Sequence, residues 1–336
     1  MRRAHPLLLG SACLALGLSA PVVAHAQPDP CDGAATVSPC FDADPVWIPT
    51  GPTPFASVRS ARTLPSHSLS LLLATGMSHR PVVLVTPSPH PEGQEIDVVR
   101  ATSTVTLGGR YGIGHGIDAG LALPFVPYQT GAGTQSVTAQ HADPLAANVL
   151  RDPRFELGAA LVGRREKEPF ALASHLVLGL PFGAAHAIAG ARGFSVAPSF
   201  SGELTFARLD VALELGLRLA PAVNLGTVRE GSALSAALGV SLTLVEDPAL
   251  ALGVEASLAP HLARRPAGVP DGALDLPAEW LASLRFAPAG AWSMLAGAGS
   301  GIPLSRVEAG APSALAVGNP DFRLLLLARY TLPALY

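Results

Sequence analysis

Side chains able to do chemistry are few in this 336-residue sequence. Lys167 is the only lysine, the cysteines are Cys13, Cys31 and Cys40, and the histidines number 10. His175 is the natural candidate base, because it stands midway along an alternating apolar run, Phe170–Leu180. A hydrolase built into a membrane barrel would need Ser and His together on its lipid face, whereas the alternation points His175 to the interior. No G-x-S-x-G elbow occurs, and no His pair has zinc-ligand spacing with a companion acid. The glycine-rich "GHGIDAGLAL" (Gly114–Leu123) is followed by no lysine, so it is not a phosphate loop. No catalytic residue, metal site or cofactor is expected.

The ends of the chain give a setting. Arg2 and Arg3 precede an apolar run from Leu7 to Val23, and Ala24-His25-Ala26 supplies the small residues of a cleavage site. This is the order of a secretory signal peptide over residues 1–26. Cys13 lies inside the apolar run, with Gly10 where a lipobox has Leu, so lipidation is not expected. Cleavage leaves Cys31 and Cys40, an even pair in an exported chain, which reads as one disulfide. Their spacing is neither C-x-x-C nor that of a zinc site.

Composition then raises a conflict. Hydrophobic residues are 49% and charged ones only 14%, where a soluble domain carries about a quarter. Such an exported chain belongs in a membrane. Yet the best candidate span, Pro169–Ala191, is broken by Gly179, Pro181 and Gly183 and carries His175 and His186. The other structure that satisfies its backbone in lipid is a closed β-barrel. The net charge of −3, or −5 without Arg2 and Arg3, argues against a nucleic-acid partner.

"RLDVALELGLRLAP" (Arg208–Pro221) tests that idea. Its composition favours a helix, and Asp210, Glu214 and Arg218 would form one stripe on it. Yet Leu209, Val211, Leu213, Leu215, Leu217 and Leu219 fall on every second position, the period of a strand. The same period recurs in Val99–Tyr111, Ile117–Phe125, Phe170–Leu180, Leu234–Leu244 and Phe322–Leu332, so the strand reading prevails. Short turns are predicted at Gly112–Gly116, Arg165–Glu168, Ala207–Arg208, Glu246–Pro248 and Ala287–Gly290. Longer loops are predicted at Ser78–Asp97, Pro127–Pro153, Gly183–Gly193, Asn224–Gly231, Ala263–Asp275 and Pro303–Asn319. The expectation is an all-β, transmembrane, antiparallel up-and-down β-barrel of about twelve strands. Its short turns face the periplasm, its longer loops are extracellular, and both chain termini are periplasmic. Aromatic residues such as Tyr111, Phe155, Phe170, Trp280, Trp292 and Tyr330 sit near strand ends, where a girdle is expected.

"GIGHGIDAGLALPF" (Gly112–Phe125) and "LASHLVLGLPFG" (Leu172–Gly183) resemble strand patterns of Gram-negative porin-like barrels, the phenol-degradation meta-pathway outer-membrane transporters. Phe182 stands where that pattern has Thr. The end, "FRLLLLARYTLPALY", is similar to the assembly signal of such barrels, with terminal Tyr336. The resemblance covers residues 66–336. It implies passive movement of small solutes, apolar ones included, and carries over no functional residue.

The inward face is expected to hold Arg100, Arg110, Asp118, Glu156, Arg164, Glu203, Asp210, Glu214, Arg218, Glu255, Arg285, Arg323 and Arg329, with His175. These could line a mixed-charge pore or brace the lumen as an ion-pair network. Glu203 and Glu214 would fall opposite each other across the Ala207–Arg208 turn, requiring Arg218 or a shared proton. Gly120, Gly158, Gly179, Gly216, Gly239 and Gly253 also face inward and leave room. Residues 27–65 form an N-terminal segment that could be a periplasmic cap, a plug or a linker, ahead of the barrel at 66–336. The expected function is an outer-membrane channel for small solutes. The alternatives are a non-conducting structural or surface-recognition barrel and an acyl hydrolase. Expected partners are outer-membrane lipid and lipopolysaccharide, the barrel assembly machinery through the C-terminal strand, and the solute.

Overall fold

A computed structural model describes residues 31, 37–86, 93–134, 145–163, 168–225, 228–262, 276–288, 291–304 and 313–334. The expected signal peptide, Arg164, Lys167 and Tyr336 lie outside the described residues. Alternating sequence becomes wall strand throughout. The strands are β1 (Leu69–Thr86), β2 (Gln94–Gly114), β3 (Ile117–Thr130), β4 (Arg154–Val162), β5 (Phe170–Gly179) and β6 (Ser195–Phe206). Next come β7 (Leu209–Arg218), β8 (Ala233–Glu246), β9 (Ala249–Leu258), β10 (Ala278–Ala287), β11 (Trp292–Gly301) and β12 (Phe322–Leu332). Each pairs antiparallel with its sequence neighbours, and β1 pairs with both β2 and β12. The result is a closed barrel of 12 strands, as the sequence period predicts. Closure matters because an open edge in lipid would strand backbone donors and acceptors.

The faces separate as a barrel in lipid requires. On β1, Leu71 and Leu73 are exposed outward while Leu72 and Ala74 are buried inward. On β7, Leu213 and Leu215 point out, and Ala212 and Glu214 are buried inside. Asp210, Glu214 and Arg218 therefore mark the inner side of a strand, not a polar stripe on a helix. Among the described residues, no helix is long and apolar enough to cross a membrane. Exposed aromatics gather at both rims, with Trp292 and Tyr330 in ring contact (centroids 4.7 Å apart) at the end where β1 begins.

That end carries the tight turns. Between β2 and β3 the chain reverses through His115 and Gly116, both at positive φ (56° and 78°), a pair of conformations that suits a two-residue hairpin. The opposite end carries the long loops, where the structure departs from expectation. Ser78–Asp97 is mostly wall, not loop. β1 runs on to Thr86, β2 begins at Gln94, and Val82–Val85 also pair with Ser313–Val317 from the expected loop Pro303–Asn319. The valine-rich run Val82-Val83-Leu84-Val85 favours strand, and all four residues are buried. The β1–β2 register shifts between His79 and Val82, where Arg80 takes φ 50°. Alternation lapses there, and Val98 and Val99 are both buried.

Residues 37–66 run through the barrel, with little regular structure of their own. Val37, Cys40, Phe41 and Ala43 pack at the long-loop end against Val82, Leu84, Val98, Val99, Ile188, Val223 and Leu225. Ile48 and Ala56 pack in the middle against Leu72, Ala74, Leu281, Leu295, Leu325 and Leu327. Phe55 and Val58 meet Ala212, and Ala61 meets Ala171 and Ala173. At the tight-turn end, the Leu64 N–H donates to Asp118 (3.0 Å) and the His67 N–H to the Gly112 carbonyl (2.8 Å). Two of the expected inward glycines are where this segment fits, while Gly158, Gly179, Gly216 and Gly253 make room for wall side chains. A Cβ on Gly239 would sit 2.7 Å from the Phe55 ring, and one on Gly120 would strike Thr50. Cys31 and Cys40 are disulfide-bonded. The described start of the chain thus lies at the long-loop end, opposite the start of β1. The expectation of two termini at one end holds for the barrel strands but not for the segment ahead of them.

Candidate functional site

The barrel interior is the concave, charged part of the molecule, and two-residue alternation on the strands builds it. Arg110 on β2 donates to Asp118 on β3 (2.6 Å) and to Glu156 on β4 (3.0 Å). Thr50 of the threaded segment donates to the same Glu156 through its hydroxyl (2.8 Å). Arg323 on β12 binds Glu279 on β10 (2.5 Å) and Asp44 of the segment (3.0 Å). Arg151, in the loop before β4, holds both Asp42 and Asp44.

The lower half of the segment is fixed by three glutamates of the wall. Glu203 on β6 binds Arg62 (2.9 Å) and accepts from the Ser60 hydroxyl (2.7 Å). Glu214 on β7 binds Arg59 (2.6 Å) and accepts from the Ser199 hydroxyl (2.9 Å). Glu255 on β9 accepts from the backbone N–H groups of Ala56 (2.6 Å), Ser57 (2.8 Å) and Val58 (3.2 Å), and from the Ser57 hydroxyl (2.7 Å). Glu203 and Glu214 do not face each other: Glu203 pairs with Ala212 and Glu214 with Ser201. Each takes its own arginine from the segment, so neither a shared proton nor Arg218 is needed.

Arg218 instead lies over Trp47 of the segment (4.0 Å to the ring centroid) and donates to the Pro45 carbonyl. Arg154 approaches the same ring at 5.2 Å. Arg285 and Arg329 border a cavity of about 590 Å³ at the tight-turn end. A cavity of about 110 Å³ lies on the other side of the segment, beside Trp47, Arg59 and Glu214. Asp210 accepts from the Thr205 hydroxyl (2.9 Å). Arg100 is the outlier. It lies at the register shift itself, exposed, and pairs with Asp97 (3.3 Å), which Arg80 also binds.

His175 lies inside, with Nε2 2.7 Å from the Ser201 hydroxyl. A Ser–His pair therefore exists. However, both residues are buried, and the other ring nitrogen of His175 has no hydrogen-bond partner among the described residues. The orienting acid of a triad is missing. No group of three His, Cys, Asp or Glu among the described residues could hold a metal.

Above the wall, the hairpin Val223–Leu225/Val228–Glu230 brings Glu230 to 3.6 Å from His261. Burial pushes the Glu230 carboxyl up to about 7, against the opposing pull of Arg218. The contributions of residues 37–66 had no signal in any local period. Their trace in the sequence was indirect: inward glycines such as Gly120 and Gly239 that leave a void for Thr50 and Phe55.

No protein-family model matches the sequence, and no curated protein matches it. The fold is similar to that of an outer membrane channel from Pseudomonas putida F1, with TM-score 0.55 and 12% identity. The match covers 80% of this chain and 97% of that one. The KdgM porin matches with TM-score 0.42 and 9% identity over 79% of this chain and 99% of its own. The NanC porin matches with TM-score 0.44 and 8% identity over 78% and 100%. The first of these likenesses establishes the fold as an outer-membrane type of barrel.

Proposed function

We propose that this chain is an outer-membrane β-barrel channel for passive movement of small solutes, closed in the described conformation by residues 37–66. One observation carries the reading: the lumen is filled by a separate segment held through side-chain contacts, with cavities on both sides of it. A barrel of about eight strands fills with its own side chains, and about sixteen leave an open channel. Twelve strands with Gly120 and Gly239 facing inward leave a bore that needs a filler. The filler is attached by ion pairs and hydrogen bonds, which exchange for water, and only partly by apolar packing. The tight-turn end is read as periplasmic and the long-loop end as extracellular. On this reading the outward leucines meet lipid, lipopolysaccharide surrounds the outer rim, and β12 carries the signal for the assembly machinery. The sequence resemblance to phenol-degradation meta-pathway transporters supports small solutes, apolar ones included, as cargo. The buried Ser201–His175 pair, lacking an acid and facing away from lipid, supports no catalysis.

Planar-bilayer recording tests this reading. Deleting residues 31–54 removes the contacts of Asp42, Asp44, Trp47 and Thr50, and conductance should rise above that of the full chain. If neither protein passes ions or small solutes, the channel reading falls and a non-conducting scaffold takes its place.

A further inference from the structure

The charges inside the barrel are not left over evenly. On the wall, Asp118, Glu156, Glu203, Glu214 and Glu279 are each claimed by an arginine, and Glu255 by backbone N–H groups and a hydroxyl. Four arginines, by contrast, make no ion pair with any described carboxylate: Arg154, Arg218, Arg285 and Arg329. The segment brings its own arginines to the wall glutamates, which frees these wall arginines from them.

Arg285 and Arg329 matter most, because they border the largest cavity. Arg329 is 3% exposed, and its Nε and one terminal nitrogen have no hydrogen-bond partner. Its other terminal nitrogen makes only long bonds to the Thr53 and Phe55 carbonyls (3.4 and 3.3 Å). The Arg285 Nε is likewise without a partner. On the wall, Arg285 pairs with Leu295 and Arg329 with Ser293, so the two lie on β10 and β12 at neighbouring levels and flank β11. The Ser293 and Thr331 side chains border the same cavity, and its one carboxylate, Glu203, is already bound to Arg62.

We propose that this cavity is a binding site for a small oxyanion, a carboxylate or phosphate group held between Arg285 and Arg329. Guanidinium groups match such oxygens with paired N–H donors. A buried Arg329 and a half-buried Arg285, each with an Nε donor lacking a hydrogen-bond partner beside open space, are most readily satisfied by an anion that enters. The lumen is then not a mixed-charge path of weak preference. Its acids fasten the segment, and its free charge is cationic at both ends, with Arg154 and Arg218 beside Trp47 at the other. This deepens the channel reading by naming the class of solute, and it can fail separately from that reading.

Equilibrium dialysis of radiolabelled inorganic phosphate against the detergent-folded full chain measures binding without conduction. The double variant Arg285→Gln/Arg329→Gln should weaken phosphate binding about tenfold or more, as expected for losing charge-assisted bonds. Arg285→Lys/Arg329→Lys keeps the charge and should retain part of the binding, and it serves if the glutamine variant fails to fold. Bilayer reversal potentials in a KCl gradient should show anion preference in the full chain and a weaker one in the glutamine variant. Phosphate binding unchanged in a folded glutamine variant, or no binding by the full chain, overturns the site. Absence of any conductance would instead remove the channel reading and leave the dialysis result to stand alone.

Discussion

Replacing Glu255 with glutamine should release the threaded segment while leaving the barrel intact. The Glu255 carboxylate gathers four donors from Ala56, Ser57 and Val58, all between 2.6 and 3.2 Å. Hydrogen bonds to a charged group are worth about 1.5–3 kcal/mol each. An amide has one acceptor oxygen and turns an NH2 group toward the remaining N–H donors. It therefore keeps about two of the four bonds and loses about 3–6 kcal/mol. At about 1.4 kcal/mol per tenfold, the balance between docked and released segment shifts by about two to four orders of magnitude. The wall is spared, because Glu255 contributes its backbone to the ladder with β8 and β10 whatever its side chain. Two readouts apply: conductance in a planar bilayer and trypsin cleavage after Arg59, which the docked segment protects. Both should rise in Glu255→Gln and stay at the original level in Glu246→Gln, an exposed turn residue paired with Arg208. Unchanged cleavage and conductance in a folded Glu255→Gln protein would refute the claim that this carboxylate fastens the segment.

The Glu230 hairpin should respond to pH. Its carboxyl keeps a proton to about 7 in the folded hairpin and to about 4.5 when exposed, so the folded form binds more protons in that window. Local stability therefore falls as pH rises from about 4.5 to about 7 and is flat on either side. Hydrogen exchange at Val223–Leu225, corrected for intrinsic rates, should show this slope in the original chain and lose it in Glu230→Gln. On intact cells, Phe182→Cys at the long-loop end should react with a membrane-impermeant thiol reagent and Arg208→Cys should not, and the reverse would invert the barrel. Removing Asp321–Tyr336 deletes the strand that pairs with both β1 and β11. Heat-modifiable migration on gels and outer-membrane insertion should both be lost, and a truncated chain that still inserts would mean closure elsewhere. A side chain at Gly239 competes with Phe55 for space, so Gly239→Val should raise conductance as Glu255→Gln does.

The wall was legible because a strand repeats every two residues and each residue reports its own side. Leu213, Glu214 and Leu215 suffice to place the inner face of β7, and neighbouring segments repeat the pattern. At Ser78–Asp97 the rule failed, since Arg80, Pro81 and a register shift interrupt the alternation, although Val82–Val85 carried a strong strand preference. The inside was legible only as a list of inward residues. Its pairings join positions far apart in sequence, such as Thr50 with Glu156 and Ser57 with Glu255, and no local period encodes them. Glu203 and Glu214 illustrate the difference. Their inward direction follows from their parity, but their partners, Arg62 and Arg59, lie in a segment with no parity to read.

The route of residues 37–66 also bears on how the molecule is made. The chain travels the length of the bore before its first wall strand begins, and the disulfide between Cys31 and Cys40 closes a loop at the far end. Pushing that loop through a finished tube would mean dragging it past the Arg110 and Arg323 clusters. Wrapping avoids the difficulty: Val37–Ala43 lies against the hairpin of β1 and β2, and the wall can close around it at the seam between β1 and β12. A consequence follows for display. An epitope fused just ahead of Cys31 belongs on the same side as the long loops, across the bilayer from the last strand's end, so antibody reaching it on unbroken cells would report that the barrel had closed around its own leader.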